Sequence, residues 1–283
     1  MQWMRAHKVK TVVLILLLFV LFEIATIPFF SIARLRNENP VETALMVQRQ
    51  REAEDAGKPL KITKKWIPLS RIPKHVVDAI IVAEDGTFYS HGGIDWFEVR
   101  ESVQKNIDKR RFARGASTIT QQLAKNLYLS TSKDPVRKLK EVIITLLLEH
   151  YLSKGRILEV YLNVIEWGRG TFGIEAAAQR YFGKSAANLT LDEGLRLAAV
   201  IPSPLRHRPD EDSRYVTRMK QIVLLRMQAR NLARQDHQEE TPSAEEMERE
   251  AAALDTLERL DTVETEEPSI PDSTEHGKER HGL

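Results

Sequence analysis

Glu84 and Asp85 stand side by side at the end of an apolar run, VVDAIIVA, ahead of a turn-like segment with Phe88, His91, Gly92 and Gly93. A carboxylate in semi-apolar surroundings keeps its proton longer or becomes a stronger base, so the pair is suited to moving a proton. A second group is Gly115-Ala-Ser-Thr-Ile-Thr-Gln-Gln-Leu-Ala-Lys-Asn126. Glycine ahead of Ser117 and Thr118 at a helix start leaves backbone N–H groups and hydroxyls aimed one way, an arrangement that binds anions. Gln121 and Lys125 are four residues apart and share a helix face, and Gln122 and Lys125, three apart, can reach one ligand. A third group is Arg137-Lys138-Leu139-Lys140-Glu141, in which Arg137 and Glu141 share a face where helix surface gives way to the apolar run 142–148. Each group also has a plainer reading: a charged helix end, a solvated polar face, or a surface ion pair worth about a few tenths of a kcal/mol.

The elements that must carry these groups are helical in pattern. Val76, Val77, Ile80 and Ile81 form a stripe on a helix that Pro73 suits at its first turn. Asp95 caps a segment carrying Trp96, Phe97, Val99 and Val103, which turns basic at Lys105, Lys109, Arg110, Arg111 and Arg114. Ser117 opens a third helix, and Asp134-Pro135 caps and starts a fourth that runs to about Leu152. A short helix follows from Lys154 to Asn163, then an Ala-rich one from Ile174 to Phe182 that ends at Gly183. Thr190 and Glu193 form a capping-box pattern, and residues 212–234 a final amphipathic helix. No run alternates as a strand would, so the fold class is mainly α.

Thr11 to Phe30 is a 20-residue apolar stretch whose single charge is Glu23, long enough to cross a hydrocarbon core. Its length, and the large residues after it, favour an uncleaved anchor over a signal peptide. Basic residues before it predict a cytoplasmic N-terminus and an exported body, which excludes cytosolic nucleic acid as a partner. The domain plan is thus 1–10 cytoplasmic, 11–30 transmembrane, 31–65 a juxtamembrane connector, 66–235 the body, and 236–283 an acidic tail. The connector's Lys58, Lys61, Lys64 and Lys65 could rest on lipid headgroups. The tail holds 16 acidic and 4 basic residues, a net of −12 against +2 for the whole chain, which leaves the rest at +14. Such a tail is expected to be disordered, with an Ala/Glu-rich helix between Ser243 and Leu260. A basic body points to an anionic partner, and the absence of cysteine excludes disulfides and thiolate metal sites.

The motifs resemble one family in order. Glu84-Asp85 with Phe88, His91 and Gly93 is similar to the first signature of the peptidoglycan glycosyltransferases of glycosyltransferase family 51. Gly115, Ser117, Thr118, Ile119, Thr120, Gln121, Gln122, Leu123, Lys125 and Asn126 match the second, and Arg137, Lys138 and Glu141 the third. Ile157-Leu158-Glu159 with Tyr161-Leu162-Asn163 matches the fourth, and Gly173-Ile174 through Tyr181-Phe182-Gly183-Lys184 resembles the fifth. The resemblance covers about Trp66 to Pro209; no transpeptidase domain follows, as in the monofunctional form. Gly155 departs from the pattern, where a better helix former is usual, and leaves the start of that helix open.

The resemblance implies a lysozyme-like, two-lobed α-helical domain behind a single transmembrane helix. The implied reaction polymerises lipid II: a growing chain held through undecaprenyl pyrophosphate is transferred, with inversion, to the 4-hydroxyl of an incoming lipid II. Glu84 is then the general base, Glu141 an orienting or electrostatic carboxylate near the pyrophosphate, and Asp85, Phe88 and His91 supports. Lys125, Arg137 and Lys140 supply positive charge, and Ser117, Thr118, Gln121, Gln122 and Asn126 hydrogen bonds. Tyr161 and Asn163 hold the cleft wall. No cofactor is required, though the family leaves room for Mg or Mn; no ligand set for a metal stands in the sequence. Residues 96–114 are expected to form the lobe by the bilayer, with 109–114 a mobile loop. The implied location is the bacterial inner membrane, with the catalytic domain on the periplasmic or extracellular side beside other cell-wall synthases or division proteins. Two alternatives stand: a muramidase or lytic transglycosylase of similar fold, and a non-enzymatic cell-wall scaffold acting through the tail.

Overall fold

The centre of the fold is a helix, α8 (Lys154–Val164), whose Ile157, Leu158, Val160, Tyr161, Leu162, Asn163 and Val164 are all buried. In the computed structural model, which describes residues 2–109, 117–132 and 134–236 with Arg249 and Ala252 beyond them, the other elements are laid around it. In chain order they are α1 (Gln2–Ala25), α2 (Phe29–Arg34), α3 (Ala44–Asp55), α4 (Lys74–Glu84), α5 (Trp96–Lys109), α6 (Ile119–Tyr128) and α7 (Pro135–Tyr151). After α8 come α9 (Ile174–Phe182), α10 (Leu191–Val200) and α11 (Arg214–Asp236). The mainly α expectation holds, and the helix ends follow from capping chemistry. Asp134 accepts the Arg137 N–H at 2.7 Å ahead of Pro135, and Thr190 and Glu193 complete their box. Ser153 accepts the Arg156 N–H at 3.2 Å, so a cap fixes the start of α8 despite Gly155.

α6 packs on both α7 and α8, α3 on α6, α2 on α7, and α10 on α4. The last pairing is close because position 194 is glycine: a Cβ there would sit 3.0 Å from Val76 Cγ2 and 3.2 Å from its Cα. Val76, Ala79, Ile80 and Ile81 are thereby fully buried, and α4 must emerge from the core at Glu84.

Strands are present where none is expected. β1 (Thr63–Lys64), β2 (Glu166–Gly168) and β3 (Thr171–Phe172) form a small sheet in the order β1-β3-β2, with β1 parallel and β2 antiparallel to β3. Pieces of two or three residues carry no alternation to read. β1 also finds its partner about a hundred residues away, as Thr63 opposite Thr171 shows.

The sheet, with α3, also builds the expected connector into the body. Leu45 and Met46 of α3 pack with Phe172. The Lys64 ammonium turns onto the carbonyls of Pro40 and Val41 at 2.6 and 2.5 Å, so it is not one of a row of solvent-facing lysines. Asn163 binds the backbone of Ile67 in both directions, at 2.8 and 2.9 Å, and so holds this stretch against α8.

The expected anchor is a helix to Ala25, then a break at Pro28 before α2, because proline cannot supply the N–H that would continue the helix. Its apolar side chains, among them Leu14, Ile15, Leu17, Leu18, Leu21 and Phe22, are exposed. One stretch among the described residues, Leu17–Arg34, is long and apolar enough to cross a membrane. The chain divides into two units, Met1–Gln228 and Ala229–Leu283. Lys109, expected to begin a mobile loop over 109–114, closes α5; residues 110–116, most of the tail and the expected Ala/Glu-rich segment apart from Arg249 and Ala252 lie outside the described residues.

Candidate active site

Asp85 is the knot of the site. It follows the last residue of α4 and is buried, and its two oxygens accept from different elements. Oδ2 takes the N–H of Ile119 at 3.0 Å, one of the donors a helix N-terminus leaves without an intrahelical partner. Oδ1 lies 2.9 Å from His91 Nε2. The Gly93 N–H donates to His91 Nδ1 at 3.1 Å, so the ring proton sits on Nε2 and is given to Asp85. Thr118 Oγ1 closes the loop by donating to the Gly93 carbonyl at 2.6 Å. Phe88 is fully buried, edge-on to the His91 ring, with the Lys154 ammonium 4.5 Å from its centre. Asp85, Phe88 and His91 are thus bonded or packed together in the turn after Glu84.

Gly93 is required by this turn. Its φ is +91°, and a Cβ would lie 2.7 Å from Glu149 Cγ and 2.8 Å from Thr145 Cγ2. Gly93→Ala is expected to cost about 2 to 4 kcal/mol from backbone strain and overpacking. Gly92→Ala, where a Cβ meets nothing within 4 Å, should be close to neutral. Denaturant midpoints of the two variants check this.

The knot brings α6 to the end of α4. Thr118 and Gln121 form a capping box, with the Thr118 N–H on Gln121 Oε1 at 3.0 Å and the Gln121 N–H on Thr118 Oγ1 at 3.2 Å. Both residues are buried and spent on starting the helix, which differs from the ligand contacts expected of them. Gln122, one residue on, faces the other way: its Nε2 donates to Glu84 Oε2 at 2.7 Å, and its Oε1 accepts from the Tyr161 hydroxyl at 3.0 Å. Glu84 and Ser117 line a cavity of about 110 Å³ with Thr87, Asp95 and Glu98. Asn126 is buried in α6.

α7 completes the group. Glu141 is 3% exposed and receives Arg137 Nη1 at 2.7 Å and Lys138 Nζ at 2.5 Å. The Arg137 Nε–H is buried with no protein acceptor. Burial pushes the Lys125 ammonium below the usual lysine range; the charge of Glu141 pulls it back up, Arg137 and Lys138 push it down, and Glu84 pulls it up. Lys125 therefore lies within electrostatic reach of both acids. Lys140 is not brought here: its ammonium pairs with Glu23 and donates to Thr26 Oγ1, at the end of α1. The i, i+4 spacing puts Arg137 beside Glu141, whereas Lys140, one residue before Glu141 and about 100° round the helix from it, reaches the end of α1 instead.

Two members make contacts the sequence did not assign them. Lys138, named only as part of the third motif, reaches Glu141 from three residues away. Tyr161, expected in the cleft wall, bonds Gln122 across 39 residues of chain. No group of three or more His, Asp or Glu among the described residues is placed to hold a metal ion.

What this arrangement can do is bounded: a carboxylate held by an amide donor at a cavity, with half-buried cations on the neighbouring helices. A family model described as Transglycosylase matches residues 54–228, a span that includes every residue of this group. The chain is 43% identical to a biosynthetic peptidoglycan transglycosylase of Herminiimonas arsenicoxydans, over 70% of this chain and 86% of that protein. It is 46% identical to one of Dechloromonas aromatica, over 68% and 83%, and 42% identical to one of Janthinobacterium sp., over 77% and 92%. The chain thus belongs to the transglycosylase family, whose domain is lysozyme-like, as a peptidoglycan glycosyltransferase of cell-wall synthesis.

Proposed function

We propose that the protein polymerises lipid II, with Glu84 as the base that takes the proton from the 4-hydroxyl of the incoming sugar. The observation that carries this reading is the pairing of Glu84 with Gln122, on the same short helix that presents Lys125. A sugar hydroxyl is a poor nucleophile near neutral pH and needs a base within hydrogen-bond reach. Attack opposite the pyrophosphate turns an α-linked donor into a β-1,4 linkage, so no glycosyl-enzyme forms. Lys125 and Arg137 neutralise the charge that develops on the departing pyrophosphate. Arg137, with a buried Nε–H lacking a protein acceptor, is suited to phosphate oxygens. Glu141 fixes Arg137 and Lys138 in place, and Ser117 lines the same cavity as Glu84. The body lies outside the cytoplasm, with α1 crossing the membrane from a cytoplasmic N-terminus; the exposed Trp96 and Phe97 suit the bilayer surface.

Incubation of the full-length protein with labelled lipid II tests the reading. Long glycan strands support it. Release of fragments from finished peptidoglycan would show a muramidase instead, and no turnover of either substrate a scaffold.

The depressed Lys125 titration adds a pH prediction. As pH rises through that pKa the cation is lost, so kcat/KM for lipid II should fall on an alkaline limb below the ordinary lysine range near 10.4. Lys125→Arg should carry that limb to higher pH while lowering the plateau, because arginine stays charged but does not match lysine's shape.

A further inference from the structure

Tyr161 is the most deeply buried polar group near Glu84, and the mechanism above does not use it. It projects from α8, is fully buried, and its hydroxyl meets Gln122 Oε1. We infer that Tyr161 is a positioning residue: by donating to Gln122 it fixes which end of that amide faces Glu84, and so keeps Glu84 in the ionised form a base requires. This rests on the reading of Glu84 as the base.

The argument is one of satisfied groups. A glutamine amide offers an acceptor at one end and donors at the other. With its oxygen on the Tyr161 hydroxyl, its NH2 must face Glu84, and a donor toward a carboxylate favours the charged form. Turned over, the amide would set its oxygen against Glu84, which only a protonated carboxyl could satisfy, and would leave the Tyr161 proton buried without an acceptor. The hydroxyl is a dependable donor, since burial and then the charges of Glu84 and Asp85 raise its pKa well above the usual tyrosine value. Other ionisable groups bear on Glu84 as well. Asp85, with His91 bonded to it, adjoins it in the chain, and Asp95 and Glu98 share its cavity. From α6 and α7, Lys125, Arg137, Lys138 and Glu141 act on it or on one another. Tyr161→Phe leaves every one of these in place and removes a single oxygen.

The test uses the full-length protein in detergent, with ¹³C-labelled glutamate carboxyls. Glu84→Gln identifies the Glu84 resonance. In Tyr161→Phe the titration midpoint of Glu84 should rise by about half to one unit, the size of one net hydrogen bond. Tyr181→Phe, which removes a buried hydroxyl bonded to the Trp167 carbonyl, should leave it unmoved. An unchanged midpoint in folded Tyr161→Phe overturns the inference whether or not Glu84 is the base. Gln122→Glu, which replaces the amide donor by a second carboxyl, should raise the midpoint further, and provides the same reading should Tyr161→Phe not fold. In turnover of lipid II, the acid limb of kcat/KM should move with the midpoint, with KM nearly unchanged. A midpoint that moves without the limb would uphold the positioning and reject Glu84 as the base.

Discussion

Glu84→Gln is expected to lower polymerisation of lipid II by about 10²- to 10⁴-fold, the range that a lost general base commands. Glutamine is nearly isosteric and keeps an oxygen for the Gln122 amide, so the bond between α4 and α6 survives. Glu84 is the last residue of α4, half-buried, while Asp85 does the structural work beside it through Ile119 and His91. Folding should therefore be nearly untouched, and the loss should fall on kcat with little change in KM. An amide cannot accept the hydroxyl proton, so the residual activity should also lack the acid limb of the wild-type pH profile. Turnover of labelled lipid II by both proteins across pH, with a thermal melt of each, measures these outcomes. Activity within tenfold of wild type, with the acid limb intact, would reject Glu84 as the base.

The division of labour within the Glu84-Asp85 pair shows what a sequence can and cannot specify. Two carboxylates at the end of an apolar helix are legible as a costly feature, and the order of motifs is legible as a family. Helix boundaries were legible too, because Asp134, Thr190, Pro135 and Gly183 act through neighbours three or four residues away. What a side chain does with its second hydrogen bond is set by folding. Thr118 and Gln121 read as ligands because an open helix start binds anions, but here the helix start is closed by Asp85, 34 residues upstream. Lys140 reads as a member of the cation set from its place in a basic cluster. Its partner Glu23 lies more than a hundred residues away, in a stretch that reads as anchor. The pairing of β1 with β3 and the bond from Tyr161 to Gln122 share this cause: each joins residues far apart in the sequence whose local pattern gives no sign of it.

That same Lys140 contact places the end of α1 beside α7. α7 carries Arg137 and Glu141 on one face and meets Glu23 and Thr26 on another. α6 is joined to α2 by a hydrogen bond between Ser31 and Tyr128 at 3.1 Å. On the proposed reading, both helices that supply cations are thus bonded to the segment that follows the apolar helix, which would set their distance from the bilayer in which a lipid-linked substrate must lie.

Glu141→Ala should be the second most damaging single change, by a different route. Glu141 is buried and receives both Arg137 and Lys138, with the Lys125 charge nearby. Removing it leaves Arg137 and Lys138 without the anion they share, and Lys125 with Glu84 alone. Breaking a buried ion pair costs about 3 to 5 kcal/mol, and the low end applies here because Lys138 is half-exposed and can swing into water. The rate should fall by about a hundredfold, since cations no longer held in place miss the oxygens they must meet in the transition state by an ångström or more. Glu141→Gln separates the two effects. Its amide oxygen can still accept from one of the two cations, so more than half of the lost stability should return. It brings no negative charge, so Arg137 and Lys138 repel each other and turnover should stay low. Denaturation midpoints set beside lipid II turnover for the two variants give the comparison. If turnover returns in step with stability in Glu141→Gln, then Glu141 is a packing residue whose charge the reaction does not need.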